Sequence, residues 1–389
     1  MRILIIGCGV GGLTAAIALR RAGIDAELYE QADALREVGA GIGLASNALR
    51  AFDVLGLGSA IRSESVAGVQ GSLRKPNGAV LVRIPIDEPS GGVGTVGVLH
   101  RAELLALLAR QIDSDRIHLG RTCISLEQDG DGVTARFQTG ETAYGDALVA
   151  ADGLRSAIRN QVAGSRPVRY AGYTAWRSVV ECGNTSGLTM GETWGRGRRF
   201  GIVPMSRGRV YWFATNNAPE RQRDPEGLTK NTLAQMFRGW HEPIEALIEH
   251  ADEASILRND IFDIDPLPQF VKGRVGLLGD AAHPMTPNLG QGACQAIEDA
   301  VVLAACLKKH GRVEPALHEY EKRRMPRTRD FVLRSRTFGV LAQWENPVMR
   351  AVRDAGLRLM PKQMAMRQLK SLLDFRIVTP EEERLFNGA

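Results

Sequence analysis

The sequence of 389 residues is poor in cysteine, and its five cysteines form no C-x-x-C pair and no spacing typical of a metal site. An odd, dispersed set of cysteines favours a reducing compartment, so we expect a cytoplasmic protein with no bound metal. No apolar stretch approaches the roughly 20 residues that cross a bilayer, which predicts no stable membrane insertion. The motifs G-x-S-x-G and H-E-x-x-H are also absent, so the sequence offers no nucleophile elbow and no zinc-protease signature.

Runs of basic residues are missing as well, although the net charge is +5. From residue 301 onward there are 18 Lys and Arg against 10 Asp and Glu, which leaves the first 300 residues slightly acidic. The arginines of this basic part are scattered along helical patterns and lack the clustering and interleaved aromatic residues of a nucleic-acid-binding surface. We therefore expect solvated helix faces and no nucleic-acid partner.

Glycine is abundant near the N-terminus, where residues 7–12 read G-C-G-V-G-G and match the pattern G-x-G-x-x-G. The apolar segment Arg2–Ile6 predicts a strand before them, residues 13–21 predict a helix after them, and a second predicted strand ends at Glu30. In this setting the glycines let a pyrophosphate approach the helix N-terminus, and the acid hydrogen-bonds a ribose. The sequence therefore predicts a dinucleotide site here.

A second match to the same pattern lies at residues 92–97. Pro85 and Pro89 interrupt any strand that would lead into it, and the next helix begins several residues too late. We interpret this match as a flexible connection, which leaves one dinucleotide fold in the chain.

The other end of the sequence carries a second ligand-binding pattern. An apolar run ends in Asp280, and a Pro/Gly loop with Gly290, Gln291 and Gly292 leads into a predicted helix over residues 293–307. An acid at a strand tip can hold a chain of sugar-like hydroxyls, and the positive end of a helix dipole can lie beside an electron-rich ring. NAD needs no contact from so distant a segment, whereas FAD, with its ribityl chain and tricyclic ring, does. We therefore expect FAD.

The pattern of elements predicts an α/β fold: a Rossmann-like FAD-binding domain (GR2-type) with an inserted β-rich substrate domain and C-terminal helices. Residues 168–264 alternate as β segments around one helix near residues 233–250, and Pro326, Pro347 and Pro361 are predicted helix boundaries. The predicted FAD-binding domain spans residues 1–68, 100–167 and 270–330, the substrate-binding sheet spans 69–99 and 168–269, and a helical segment spans 331–389.

A third motif lies at residues 148–156, L-V-A-A-D-G-L-R-S, which contains Asp152 and Gly153. Together with the glycine turn and Gly279-Asp280, it resembles the class A flavoprotein aromatic hydroxylases, the para-hydroxybenzoate hydroxylase-like family, over residues 1–340. Residues 171–177, 198–204 and 210–214 further resemble the zeaxanthin epoxidase, salicylate hydroxylase and FAD-dependent urate hydroxylase branches. Ser46 departs from the proline that many relatives have there, which leaves that loop less constrained.

The resemblance implies a flavoprotein that uses NADH or NADPH as a transient co-substrate and O2 to hydroxylate or epoxidise an aromatic, N-heterocyclic or polyene small molecule. Oxygen insertion through a flavin C4a-hydroperoxide is the implied route. The positions that the motifs and the resemblance assign to FAD are Gly7, Gly9, Gly11, Gly12, Glu30, Gly41, Gly43, Arg101, Asp152, Asp280, Gly290, Gln291, Gly292 and Ala293.

Arg199 and Tyr211 match positions that line the substrate pocket in the urate branch, so they are the candidate catalytic residues. An arginine on a sheet face and an aromatic cross-strand pair are also common without any such role. Trp176, Phe200, Val203, Tyr211 and Phe213 are further candidates to line an apolar pocket, whereas His283 is interpreted as a structural hydrogen-bonding residue.

Two other functions are compatible with the same residues. One is a flavin-dependent reductase or dehydrogenase without oxygen insertion, and the other is a redox-sensing flavoprotein in which residues 331–375 form an interaction arm. The helically spaced Leu, Val and Met of that arm favour a core or a domain-bridging surface over a membrane face. The chain is expected to be a monomer or a homodimer.

Overall fold

The computed structural model describes residues 1–35, 40–66, 71–84, 96–185, 187–373 and 376–386. Its strands are β1 (Arg2–Ile6), β2 (Asp25–Tyr29), β3 (Gly41–Leu44), β4 (Gly71–Arg74), β5 (Val80–Ile84), β6 (Gly97–His100), β7 (Ile117–His118), β8 (Cys123–Gln128), β9 (Val133–Phe137), β10 (Thr142–Gly145), β11 (Ala147–Ala150), β12 (Arg169–Glu181), β13 (Met190–Trp194), β14 (Arg198–Pro204), β15 (Arg209–Asn217), β16 (Leu257–Asp263), β17 (Val271–Lys272) and β18 (Val275–Leu277).

The helices are α1 (Val10–Arg21), α2 (Ser46–Val54), α3 (Gly58–Glu64), α4 (Arg101–Ala109), α5 (Ala157–Ala163), α6 (Thr229–Met236), α7 (Ile244–His250), α8 (Gly292–His310), α9 (Val313–Ala342), α10 (Pro347–Leu359), α11 (Lys362–Leu373) and α12 (Pro380–Glu383). Several sequence-based predictions lie outside the described residues: residues 69–70 of the predicted substrate-binding sheet, residues 92–95 of the second glycine motif with Pro85 and Pro89, and residues 374–375 of the predicted arm.

A six-stranded sheet in the order β17-β18-β11-β1-β2-β7 forms the centre of the half that contains the glycine turn. β1 pairs in parallel with β2 and β11, and β18 pairs in parallel with β11. The residues of β1 after Arg2 are buried, as expected for a strand covered on both faces, and α1 and α8 pack together over the sheet. Because parallel strands end at the same edge, the residues that follow β1, β2, β11 and β18 meet there.

A seven-stranded sheet in the order β16-β12-β15-β14-β13-β4-β5 forms the second layer. Side chains on one face pack against α6 and α7 in a core that contains Trp176, Phe200 and Trp212. The prediction that Trp176 and Phe200 line the substrate pocket is therefore wrong. Successive strand residues point to opposite faces, and these two belong to the face covered by helices, whereas Tyr211 lies on the other face.

Two predicted boundaries also differ. The single helix predicted near residues 233–250 is the pair α6 and α7, separated where Gly239 adopts a left-handed φ of 75°. Pro326 does not end a helix but lies inside α9. Proline has no N–H group, so the carbonyl oxygen of Lys322 has no hydrogen-bond donor in the helix. Pro326 and Lys322 both lie on the exposed side of α9, where water can bind this oxygen.

Candidate functional site

The glycine turn between β1 and α1 is built by close backbone contacts. Gly7 has a φ of 107°, and a Cβ on it would lie 2.4 Å from the carbonyl oxygen of Ala151. A Cβ on Gly12 would lie 1.9 Å from the carbonyl oxygen of Gly7. By contrast, a Cβ on Gly9 would meet no protein atom within 4 Å. Gly7 and Gly12 are therefore required by the turn itself, whereas the space beside Gly9 is open.

Glu30 follows β2 and closes the same turn from the side. Its carboxylate accepts hydrogen bonds from the backbone N–H groups of Cys8, at 2.7 Å, and Ala32, at 3.0 Å. Burial and the charge of Glu30 raise the pKa of the Cys8 thiol to about 12, so Cys8 is a packed, protonated side chain and not a reactive thiolate.

Asp152 follows β11 at the same edge. Its Oδ2 accepts a hydrogen bond from the backbone N–H of Ala157 at 3.1 Å, while its buried Oδ1 has no partner in the structure. Burial raises the pKa of this carboxyl group. A buried acceptor without a donor is costly, so Oδ1 is positioned to take a donor from a ligand.

Asp280 follows β18. Its side chain is exposed to solvent although many protein atoms lie around it, as expected for a residue that lines a cleft. Burial raises the pKa of this carboxyl group, whereas the charges of His283, Arg101 and Arg159 act in the opposite direction. The described residues show no hydrogen bond from protein to the Asp280 carboxylate. It is available to accept hydrogen bonds from ligand hydroxyls.

The start of α8 lies beside Asp280. A Cβ on Gly292 would point to within 3.8 Å of Asp280 Oδ1, and Gly290 has a left-handed φ of 62°. Within the described ranges, the N-cap residues Gln291 of α8 and Gly9 of α1 make no side-chain capping bond, so the first N–H groups of both helices can bind an anionic or electron-rich ligand.

A short antiparallel pair of strands, β3 and β6, is joined to this helix start. The Cys294 thiol contacts the carbonyl oxygen of Gly43 at 3.7 Å, and the Asn47 amide donates to Gln291 Oε1 at 3.0 Å. Gly43 is exposed, and no protein atom lies within 4 Å of a Cβ built on it. The strand that holds Gly41 and Gly43 is thus one wall of the cleft.

The two ends of the sequence meet through Gly11. A Cβ on this residue would lie 2.7 Å from a methyl group of Leu278 and 3.1 Å from the Cβ of Ala296. The glycine turn of α1 therefore packs directly on the end of β18 and on α8. A cleft with free helix N-termini at both ends and unpartnered carboxylate oxygens between them suits one long ligand with a phosphate group and several hydroxyls.

Comparison with known proteins identifies that ligand. The model of the FAD binding domain family matches residues 1–335. The chain belongs to the class A FAD-dependent monooxygenases. It is 44% identical over 365 residues to the aurachin C monooxygenase/isomerase of Stigmatella aurantiaca, which covers 92% of this chain and 94% of that protein.

Two further comparisons concern Klebsiella pneumoniae. Its FAD-dependent urate hydroxylase is 37% identical over 350 residues, covering 86% of this chain and 89% of that protein. The crystal structure of HpxO complexed with FAD and uric acid superposes with a TM-score of 0.89 at 32% identity, covering 96% of each chain. The expected family, fold class and cofactor are thereby confirmed.

Beneath the FAD cleft of this monooxygenase lies a buried charge network that the sequence did not reveal. Arg324 of α9 donates to Glu298 at 2.5 Å and to Asp299 at 2.6 Å, and all three side chains are fully buried. Asp299 also accepts from the backbone N–H of Gly279 at 3.0 Å and bonds His283 at 2.6 Å. The network thus fixes the backbone next to Asp280, and the structural interpretation of His283 is confirmed.

The two candidate catalytic residues lie on the face of the seven-stranded sheet that looks toward β3. The ring of Tyr211 packs on Gly41, where an added Cβ would lie 2.5 Å from Tyr211 Cγ. Burial raises the pKa of Tyr211, and the nearby Arg177 acts against that shift. Val203 is the cross-strand partner of Tyr211 on β14.

Arg199 is buried, with 2% of its surface exposed, and each of its three guanidinium nitrogens donates at least one hydrogen bond. It donates to Glu192 Oε1 at 2.9 Å, to Asn288 Oδ1 at 2.7 Å and to Gln343 Oε1 at 3.1 Å. Asn288 belongs to the loop that precedes α8, so Arg199 links the substrate-side sheet to that loop. A role for Arg199 in catalysis stays a prediction.

Among the described residues, no helix is long and apolar enough to cross a membrane. Within the same part of the chain, no group of His, Cys, Asp and Glu side chains could hold a metal ion.

Proposed function

We propose that this monooxygenase takes two electrons from NADH or NADPH and uses O2 to hydroxylate or epoxidise an aromatic, N-heterocyclic or polyene small molecule. One oxygen atom enters the substrate, and the other leaves as water with the hydride and one proton. When bound, FAD carries the electrons from the nicotinamide to O2. The support for this substrate class is the likeness to proteins that act on aurachin C and on urate.

The FAD contacts follow from the chemistry of the cleft. Glu30 is assigned to the adenosine ribose, the glycine turn with Gly7, Gly9, Gly11 and Gly12 to the pyrophosphate, and Asp280 to the ribityl hydroxyls. Residues 290–293 are assigned to the edge of the ring, beside the N–H groups at the start of α8. Arg101 is exposed, and it is close enough to Asp280 to lower the pKa of that carboxyl group. It is assigned to the pyrophosphate or ribityl chain.

The observation that carries the substrate assignment is the contact between Tyr211 and Gly41. It places a wall of the seven-stranded sheet directly against the strand that is joined to the start of α8. Val203, Tyr211 and Phe213 face this side and would exclude water, while Arg177 supplies one polar group beside the Tyr211 hydroxyl. In the proposed division, the six-stranded sheet holds FAD and the seven-stranded sheet holds the substrate.

Arg199 and Tyr211 then have different roles. Tyr211 contacts the substrate, whereas Arg199 positions Asn288 and its loop at the edge of the FAD cleft. This assignment is supported by the hydrogen bonds that Arg199 donates to Glu192, Asn288 and Gln343.

The overall reaction is tested with FAD-loaded protein, NADH or NADPH, isotopically labelled O2 and a panel of phenols, N-heterocycles and polyenes. We expect at least one substrate to stimulate nicotinamide oxidation and to gain one labelled oxygen atom, measured by mass spectrometry. Nicotinamide oxidation that no substrate stimulates, with no labelled product, would contradict the proposal and favour a reductase.

The five cysteines are all free, which supports placing the enzyme in the cytoplasm.

A Tyr211→Phe variant tests the substrate contact. Removing one hydroxyl hydrogen bond is expected to raise KM by about threefold to tenfold while FAD content stays unchanged. Tyr144→Phe is the matched control, because Tyr144 is exposed on β10 away from the cleft. If both variants have the KM of the parent enzyme, Tyr211 does not contact the substrate.

A further inference from the structure

α10 presents an apolar stripe to solvent. Val348, Val352 and Leu359 lie on one side of this helix and are 69%, 65% and 81% exposed. Met349 and Met360, at the two ends of the helix, and Met364 of α11 are exposed as well. The interpretation of the spaced apolar residues as core does not hold for these exposed side chains of α10, whereas Leu357 of the same helix does pack on a core cluster. Single exposed apolar side chains are ordinary, but a continuous exposed stripe along a helix indicates an interaction site.

The inward side of α10 carries an ion pair beside Leu357, which packs on the cluster that contains Trp194. Arg353 and Asp354 are buried and pair with each other at 2.8 Å, and Lys75 bonds Asp354 at 2.9 Å. The Arg353 guanidinium also lies over the Trp194 ring at 5.0 Å. A helix that is held by buried ion pairs keeps its apolar side outward in a fixed orientation. The stripe is thus a built surface and not a frayed end.

The charged residues of α10 and α11 are mostly basic. Residues 346–373 contain six Lys and Arg, and their single acid, Asp354, is consumed in the buried pairs. Arg358, Arg367 and Lys370 are exposed. An exposed apolar stripe flanked by exposed basic residues is the pattern of helices that lie in the plane of a membrane interface.

We propose that the stripe docks this enzyme peripherally on the surface of an anionic phospholipid bilayer. The basic residues complement lipid phosphates, and the stripe enters the boundary between headgroups and acyl chains. A symmetric dimer through α10 fits less well, because a twofold interface would place the basic residues of one copy close to those of the other. With its 13 residues, α10 is about 20 Å long, which suits lying on a bilayer and not crossing it.

Flotation of the FAD-loaded full chain with vesicles tests this proposal. We expect binding to vesicles of phosphatidylcholine mixed with phosphatidylglycerol and at least tenfold weaker binding to vesicles of phosphatidylcholine alone. The Val352→Ser, Leu359→Ser double variant is expected to reduce partitioning by about tenfold for each side chain. Ile124→Ser is the matched control, because Ile124 is 56% exposed on β8, and it is expected to bind like the parent.

The charge contribution is tested separately. Arg358→Gln with Arg367→Gln is expected to weaken binding to the anionic vesicles by about fivefold for each charge, and added salt should have the same effect. FAD content and turnover serve as folding controls for every variant. Absence of binding to anionic vesicles overturns the proposal. A second outcome also overturns it: the parent enzyme is a dimer, and the Val352→Ser, Leu359→Ser variant is a monomer that binds vesicles like the parent. The stripe would then be the contact surface for a second copy.

Discussion

Replacing Arg324 with leucine is expected to lower the free energy of unfolding by about 3–5 kcal/mol, because it leaves buried acids without their partner. Arg324 is inaccessible to solvent and donates to Glu298, Asp299 and Gln295. Arg327 still pairs with Glu298 in the variant, so Asp299 is the buried carboxylate that loses its arginine partner. Since Asp299 holds the backbone N–H of Gly279, FAD affinity is expected to fall together with stability.

Chemical denaturation of the apoprotein measures the first effect, and FAD titration measures the second. Arg334→Leu is the matched control on the same helix, because Arg334 forms an exposed pair with Asp330 at 2.8 Å. Such a surface pair contributes about 0.3–0.5 kcal/mol. Equal stability of the two variants would show that the buried network does not support the fold.

The same network predicts a response to acid. Burial alone would raise the pKa of Asp299, but His283 and Arg324 lower it to about 2. A carboxyl group with a lowered pKa in the folded state stabilises the protein above its ordinary pKa, and this stabilisation is lost as the pH falls toward 2. The contribution is about 2 kcal/mol. In Arg324→Leu the pKa of Asp299 rises, so acid unfolding, followed by near-ultraviolet circular dichroism, is expected to begin at a higher pH than in the parent.

Gly12→Ala is expected to abolish both FAD binding and the stable fold, whereas Gly9→Ala abolishes FAD binding alone. A Cβ at position 12 would overlap the carbonyl oxygen of Gly7, at 1.9 Å. At position 9 the backbone has a φ of −70°, which alanine adopts readily, and no protein atom is within 4 Å. The added methyl group at position 9 would instead occupy the space that the pyrophosphate needs.

The two variants are compared by thermal unfolding of the apoprotein and by FAD titration. We expect Gly9→Ala to unfold within a few degrees of the parent and to bind FAD at least a hundredfold more weakly. Retained FAD affinity in Gly9→Ala would place the pyrophosphate elsewhere. A stable, FAD-binding Gly12→Ala protein would contradict the close turn between β1 and α1.

The FAD half of the fold could be predicted from sequence because its signals are local. The glycines of residues 7–12, the strand before them and Glu30 lie within about thirty residues, and each motif is one strand followed by one turn. The meeting of this turn with Asp280 followed from the length of FAD, and the contact of Gly11 with Leu278 and Ala296 confirms it.

Other features depend on partners that no local pattern contains. Arg324 and Glu298 lie on different helices, and the sequence gives no sign that they pair in the core. The residues predicted to line the pocket came from both faces of the sheet, and no local pattern shows which face α6 and α7 cover, so Trp176 and Phe200 were wrongly included. In α10, helical spacing of apolar residues predicts a stripe but not its direction. Here the Arg353–Asp354 pair is buried on the inner side of α10, and the apolar stripe therefore faces solvent.

Titration of the apoprotein with FAD, followed by flavin fluorescence, tests the central claim most directly. We expect one FAD per chain, and we expect Gly9→Ala and Asp280→Ala each to weaken binding by tenfold or more, although about 270 residues separate them in sequence. Saturable binding that neither variant changes, or purified protein that takes up no FAD, would contradict a single site built from both ends of the chain.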